Sequence, residues 1–300
     1  MQDGFNDVFR LVNAEGDGLP GLIIDFYNGT AVVQMHSVGM FLHQEIIIEA
    51  LKRVLGDKLV SIYQKSEKTL PSKADVTPKD GYIGEPVSSD YVTEYGNKFL
   101  VDWEGGQKTG FFIDQRDNRK LLEFYSKDRS VLNMFGFTGG FSVYAMRGGA
   151  KQVHSVDSSA SAIDMTNRNI ALNFGEDDRH EGFCVDAFSY LDDIENKYDL
   201  IILDPPAFAK SNKVLHNALQ GYKKLNAKAI SQIKPGGIIF TFSCSQVVSK
   251  EMFRKSVFAA SVNSGRTVRI LHQLTQPIDH PVNIYHPESE YLKGLVILVE

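Results

Sequence analysis

Cysteine is nearly missing from this sequence, with only Cys184 and Cys244 in 300 residues. Two thiols make no disulfide framework and fall short of a zinc ligand set, which leaves no metal site to expect and suits a reducing cytoplasm. A basic excess is missing as well: 32 Lys and Arg against 37 Asp and Glu leave a formal charge of −5, unlike the strongly basic domains that coat nucleic acid indiscriminately. No run approaches the roughly 18 consecutive apolar residues of a membrane span, and the polar opening "MQDGFNDVFR" does not read as a signal peptide. Internal repeats and low-complexity tracts are absent too.

What is present is enough apolar material, 43% of the chain, for two cores, since domains cluster at roughly 100–150 residues. Charge is uneven along it. Residues 205–234 hold six lysines and no Asp or Glu, a local +6, and residues 52–79 hold seven Lys or Arg against three acids, a local +4. Such runs are most often solvated faces; beside an active site they become candidates for phosphate contact.

Residues 1–104 read as a smaller α+β domain. Apolar and strand-like runs lie at 19–27, 31–38 and 59–64, with a helix near 41–55. The stretch 68–86, with three prolines and two glycines, reads as loop or linker, and Tyr95-Gly96-Asn97 marks a closing β-hairpin. From residue 105 to 300 strands alternate with helices, the mark of βαβ units. Strands are expected at 131–135, 153–157, 182–185, 199–204, 236–243, 267–271 and 294–300, and helices at 140–148, 159–173, 217–233 and 249–263. The fold class is therefore α/β, a Rossmann-like, doubly wound, mostly parallel seven-stranded sheet. Its last strand is expected to pair antiparallel with its predecessor at a sheet edge.

Open α/β sheets bind ligands beyond the carboxyl ends of their strands. The first strand runs into "FGFTGGF" (135–141), which is not G-x-G-x-x-G and so disfavours a dinucleotide, although a glycine turn there still lets a ligand approach the backbone. The next three strand ends carry Asp157, Asp186 and Asp204. Asp157 is placed to accept from ribose hydroxyls and Asp186 from an adenine amino group, with Phe188 against the ring. Acidic groups without a phosphate cradle suit a cationic adenosine ligand, S-adenosyl-L-methionine. Each Asp alone could equally cap the following helix.

The segments "GQKTGFFIDQRDNR" (106–119), "VLNMFGFTGGFSVYA" (131–145), "VDSS" (156–159), "LDPPAF" (203–208), "PGGIIFTFSCS" (235–245), "DHP" (279–281) and "YLKG" (291–294) resemble, in order and spacing, the bacterial 23S ribosomal RNA cytosine-5 methyltransferases, class I enzymes dependent on S-adenosylmethionine. The resemblance runs from about residue 8 to the end. It implies cofactor contacts from Lys108, Thr109, Gly110, Gln115 and Arg116, from Phe135, Phe137, Thr138 and Gly139, from Asp157 and Ser158, from Asp186, Ala187 and Phe188, and from Asp204. It implies large-subunit ribosomal RNA as partner, recognition of that RNA by the first domain and a cytoplasmic setting, with no membrane or metal, and leaves a homodimer open. Two departures stand out. The family usually begins with a small RNA-binding PUA domain, and this sequence starts after the position where that domain would end. Its glycine loop also reads "FGFTGG" where the family more often carries serine and tyrosine.

Carbon 5 of a pyrimidine is a poor nucleophile, and addition of a thiolate at carbon 6 moves electron density onto it. Cys244, at the end of the fifth strand, is the expected nucleophile, with Asp204 hydrogen-bonded to the base edge. Pro205 and Pro206 stiffen the turn, Phe208 is a stacking surface for an extruded base, and Lys210 and Lys213 are candidates for phosphate contact. Cys184 is expected to be packed and structural, and His280 and His286 read as structural residues. Two rival readings remain: methylation of a base nitrogen, with Cys244 a bystander, and a binding module without turnover.

Overall fold

The computed structural model describes residues 6–71, 75–86, 91–106 and 108–300. Residues 72–74 of the proline-rich stretch and Gln107 of the "GQKTG" motif lie outside the described residues. The chain divides into two compact units, residues 1–116 with 277–289, and residues 117–276 with 290–300. The first unit thus extends to Arg116 rather than ending at 104. Within it Arg116 is ion-paired to Asp279 at 2.9 Å and the Asn13 side chain donates to the carbonyl of Pro281 at 2.9 Å, two contacts that tie the returning segment in place.

The first unit carries a five-stranded sheet in the order β1-β2-β3-β4-β5, made of β1 (Val8–Asn13), β2 (Leu22–Tyr27), β3 (Thr30–Met35), β4 (Ser61–Gln64) and β5 (Gly81–Ile83). β2 and β3 meet through Asn28-Gly29, both at positive φ (43° and 96°), the pairing a two-residue hairpin requires. β3 and β4 are parallel, so the chain must cross over between them. It does so through α1 (Val38–Leu42) and α2 (Gln44–Leu55), whose Ile47, Ile48, Leu51 and Leu55 pack on Phe9, Ile24, Phe26, Val33 and Ile62 of the sheet. β5 lies inside the stretch expected to be all loop; it pairs antiparallel with β4. The hairpin at Tyr95-Gly96 forms between β6 (Val92–Glu94) and β7 (Asn97–Phe99).

α3 (Arg116–Tyr125) leads into the second unit, a seven-stranded sheet of β8 (Ser130–Met134), β9 (Gln152–Asp157), β10 (His180–Cys184), β11 (Leu200–Leu203), β12 (Gly237–Ser243), β13 (Val268–Leu274) and β14 (Lys293–Val299). The order is β10-β9-β8-β11-β12-β14-β13, parallel except for β14, which runs antiparallel to both neighbours. β14 therefore enters between β12 and β13 instead of lying at the edge, because its apolar "GLVILV" run is buried through nearly its whole length while β13 is half exposed. The helices are α4 (Gly140–Arg147), α5 (Ala160–Phe174), α6 (Ala187–Tyr190), α7 (Leu215–Gln232) and α8 (Lys250–Ser264). Helices on both faces explain why β11 is a continuous apolar run and why β12 is buried at every position instead of alternating. Strand order reverses between β8 and β11, the position at which such sheets bind ligands.

Candidate active site

The glycine loop follows β8. Phe135 (φ 60°), Phe137 (φ 47°) and Gly139 (φ 77°) all occupy the left-handed region, where a bulky side chain costs on the order of 1–3 kcal/mol. Surrounding hydrogen bonds hold that conformation. The Gly136 amide donates to the carbonyl of Val156 at 3.0 Å, the Phe137 amide to Asp157 Oδ2 at 3.0 Å, and the Gly139 amide to the carbonyl of Gly136 at 2.8 Å. From α5, Thr166 Oγ1 donates to the carbonyl of Phe137 at 3.0 Å and Asn169 Nδ2 to that of Thr138 at 2.8 Å. Thr166 and Asn169 are structural partners of the loop that no sequence motif marks. Beneath them runs a buried polar chain: Asn133 Nδ2 donates to Ser142 Oγ at 2.8 Å, Ser142 Oγ meets Ser155 Oγ at 2.6 Å, and Ser155 Oγ meets His180 Nε2 at 2.8 Å.

Asp157 ends β9 and accepts at both oxygens, from the Phe137 amide and, at Oδ1, from the Ser159 amide at 2.9 Å. Each oxygen keeps a second lone pair for a ribose hydroxyl. Ser158 beside it is exposed. Asp186 caps α6, accepting from the Ser189 amide at 2.9 Å and its hydroxyl at 3.0 Å; the amide bond, with the hydroxyl second, holds its carboxyl below the usual range. Ala187 is buried and Phe188 partly buried, with Lys224 Nζ over the Phe188 ring at 5.6 Å. Capping by a carboxylate leaves it acceptor capacity for a further hydrogen bond.

On the other side of the reversal Asp204 follows β11 and is half-buried, Pro205 is buried and Pro206 exposed. The serines flanking Cys244 explain its setting. Both are fully buried. Ser245 Oγ accepts from the Ala209 amide at 3.2 Å and meets the Tyr222 hydroxyl at 2.9 Å, which fastens the turn after β12 to the Asp204-Pro205-Pro206 loop. Cys244 between them stays half-buried, its Sγ 3.9 Å from the carbonyl of Pro205. Phe208 packs on Tyr222, centroids 4.6 Å apart, and against Gly221, so that part of its ring is engaged inside the fold. Lys293, opposite Ser243 in the β12–β14 pair, is only 5% exposed; its motif "YLKG" was visible, but a lysine's burial was not.

Three expectations change. Cys184 is exposed, not packed, because β10 is an outer strand with a neighbour on one side only. The lysine-rich run is not a uniform +6 face: Lys228 pairs with Asp192 and Lys234 with Asp199 at 3.1 Å, while Lys210 and Lys213 are exposed. Lys65 of the other basic run is likewise turned inward, onto the carbonyls of Trp103 and Gly106 at 2.5 and 2.8 Å.

The 108–116 segment lies in the first unit. Thr109 is buried, accepting from the Tyr27 hydroxyl at 2.8 Å and donating to Asp25 Oδ2 at 2.6 Å. Gly110 (φ 94°) leaves no room for a side chain, since a Cβ would lie 2.3 Å from the carbonyl oxygen of Asp102. Lys108 lies 3.9 Å from Asp114 and over the Phe112 ring. Gln115 is buried, and Arg116 is spent on Asp279 and on the carbonyl of Val8 at 3.2 Å. His280 is buried with Nδ1 3.0 Å from Asp279 Oδ1, a structural setting.

Residues 67–281 match the family described as S-adenosylmethionine-dependent methyltransferase. The chain belongs to that family. S-adenosylmethionine is its cofactor, and the donors fit: carboxylates end three strands, and the glycine loop contains no lysine or arginine that would address a phosphate. A relative named "Ribosomal RNA large subunit methyltransferase I" from Alteromonas mediterranea is 41% identical over 97% of this chain and 74% of its own length. A Streptococcus mutans protein assigned as a SAM-dependent methyltransferase shares the fold with a TM-score of 0.86 at 23% identity, over 99% of this chain and 76% of its own. A methyltransferase structure complexed with SAH gives 0.86 at 24% identity over the same shares. The sheet is the Rossmann-like sheet of class I methyltransferases. Among the described residues no helix is long and apolar enough to cross a membrane, and no cluster of His, Cys, Asp and Glu could hold a metal ion.

Proposed function

We propose that this methyltransferase forms 5-methylcytosine in large-subunit ribosomal RNA through a covalent adduct on Cys244. The relatives' name supports the RNA class. The observation that carries the chemistry is the half-buried thiol beyond β12, fastened through Ser245 to the Asp204 loop. The Cys244 thiolate adds to carbon 6 of the ring, and its electron pair moves density to carbon 5. S-adenosylmethionine, when bound, would supply the methyl group to carbon 5 and keep the bonding electron pair on its sulfur. The carbon-5 proton then leaves to solvent base, and the bond from carbon 6 to Sγ breaks, returning the thiolate. Asp204 hydrogen-bonds the base edge and orients the ring.

In this reading Phe135, Phe137, Thr138 and Gly139 present backbone to the cofactor, Asp157 and Ser158 take the ribose, and Asp186, Ala187 and Phe188 surround the adenine. The hydroxyl of Thr109 and the guanidinium of Arg116 are engaged within the first unit. Pro205, Pro206 and the outward part of Phe208 meet the base, Lys210 and Lys213 meet phosphates, and the first unit recognises RNA in the cytoplasm. The test is 5-fluorocytosine-substituted ribosomal RNA: fluorine cannot leave as a proton does, so a stable protein–RNA adduct is expected with wild type and none with Cys244→Ser. An adduct-free wild type that still transfers methyl groups would move the reading to base-nitrogen methylation.

A further inference from the structure

α2 (Gln44–Leu55) carries more apolar surface than the sheet beneath it uses. With about 100° between successive residues, Ile46, Ala50, Val54, Ile47, Leu51, Leu55 and Ile48 spread over an arc of about 200°, roughly twice the stripe a surface helix needs to face one core. Only Gln44, in the first turn, interrupts that arc. Ile47, Ile48, Leu51 and Leu55 form the half that packs on the sheet. Ile46 and Val54, on the other half, are 64% and 76% exposed, and Ala50 between them is exposed too. A single exposed apolar side chain is ordinary. A seam recurring every fourth residue along one helix is a contact surface that nothing in the described chain covers.

The charges beside the seam are self-complementary. Glu45, Glu49, Lys52 and Arg53 fill the remaining arc, acids in the N-terminal half and bases in the C-terminal half. All four are exposed, and none forms an ion pair with another described residue. Arg53 and Glu49 lie nearest the seam, about 20° and 60° around the helix from Ile46.

We propose that α2 is the interface of a homodimer, packed antiparallel on α2 of a second copy across a two-fold axis near Ala50. Such an axis brings the same edge of both helices together, so Glu49 comes against the partner's Arg53 and Arg53 against the partner's Glu49. Ile46 packs on the partner's Val54, and the small Ala50 lets the two backbones approach. A parallel pairing would turn each charged edge toward the sheet-facing edge of the other helix, where no charge answers it. This association is independent of which base the enzyme methylates.

The experiment is sedimentation of the whole chain from low to high micromolar concentration. Wild type is expected to pass from the 33.5 kDa monomer toward twice that mass, with a midpoint on the order of tens of micromolar because the seam is smaller than a stable interface of roughly 1,200–2,000 Å². Ile46→Lys is expected to raise that midpoint at least about tenfold, with thermal unfolding and S-adenosylmethionine binding unchanged because the side chain is exposed. Glu49→Arg and Arg53→Glu should each prevent association by setting like charges across the axis. An equimolar mixture of those two variants should associate again, each offering the charge the other lacks; an effect confined to one helix, where the two residues are also four apart, would not be rescued by mixing. A wild type that stays monomeric throughout overturns the proposal, as does a dimer that Ile46→Lys leaves intact or a mixture that stays monomeric. A monomeric wild type whose ribosomal RNA binding is lost in Ile46→Lys overturns it too and gives the seam to RNA.

Discussion

Cys244 and Cys184 carry the same thiol in opposite settings, one half-buried next to the stapled Ser245 and one exposed on an outer strand. Cys244→Ser is expected to leave folding and cofactor affinity near wild type while methyl transfer to cytosine falls by at least about a thousandfold, equivalent to about 4 kcal/mol of barrier, because an alcohol is barely ionised at neutral pH. Cys184→Ser should change neither thermal unfolding nor turnover, since its thiol makes only a long 3.6 Å approach to the Ser158 carbonyl. Methyl incorporation from labelled cofactor, with calorimetry on both variants, checks the pair; wild-type turnover by Cys244→Ser sinks the covalent mechanism. Asp157 supports both the glycine loop and, in this reading, the ribose. Asp157→Ala should weaken cofactor binding by about 1.5–3 kcal/mol, the scale of hydrogen bonds to a charged group, and an unchanged affinity by calorimetry would remove it from the site.

The glycine loop depends on what lies under it, so its stability belongs to β8, β9, β10 and α5 together. Gly139 sits at φ 77°, and an added Cβ would fall 2.6 Å from Thr166 Cγ2. Gly139→Ala is therefore expected to cost at least about 1–2 kcal/mol from backbone strain alone, seen as a lower urea midpoint, and to weaken the cofactor as well. The polar chain below ends in His180, whose imidazole is driven down to about 4 by burial, with His154 adding repulsion. Between pH 6.5 and 4 the unfolded chain binds a proton that the folded chain refuses, so stability falls as pH drops through that window and is level above it. Urea unfolding at pH 7.5 and 5.0 should show a loss of roughly 1–2 kcal/mol from this group, and His180→Asn should flatten the dependence. An equal pH loss in the variant would assign the effect to other groups.

At the scale of the molecule, net charge misleads: a chain at −5 presents exposed Lys210 and Lys213 directly after the Asp-Pro-Pro loop, while Lys228 and Lys234 of the same run are neutralised by Asp192 and Asp199. Replacing Lys210 and Lys213 by alanine is expected to reduce the salt slope of RNA binding by about 0.7 for each phosphate of a single strand that is no longer neutralised. Cofactor affinity should stay constant. The measurement is binding of a ribosomal RNA fragment across a salt series, and an unaltered slope would return both lysines to ordinary surface residues.

How much of this was legible follows from the range of the forces involved. Sequence alone determined the seven strands of the second unit and the helices α4, α5, α7 and α8 to within a few residues, because apolar periodicity is a local property, but not α3 or the one-turn α6; it marked Cys244, Asp157, Asp186 and Asp204 because strand ends locate a ligand site in this class of sheet. The Asn28-Gly29 turn carries the same local signal as the one at Tyr95-Gly96. Tertiary structure decided what depends on partners distant in sequence. It inserted β14 between β12 and β13, paired β5 with β4 out of a proline-rich stretch, exposed Cys184, committed Thr109 and Arg116 to the first unit, and buried Lys293 at the end of β12. A lysine's hydropathy predicts solvent; only pairing with a strand about fifty residues away removes it from water, because the burial of a long side chain is set by its neighbours in space and those neighbours are chosen by the sheet.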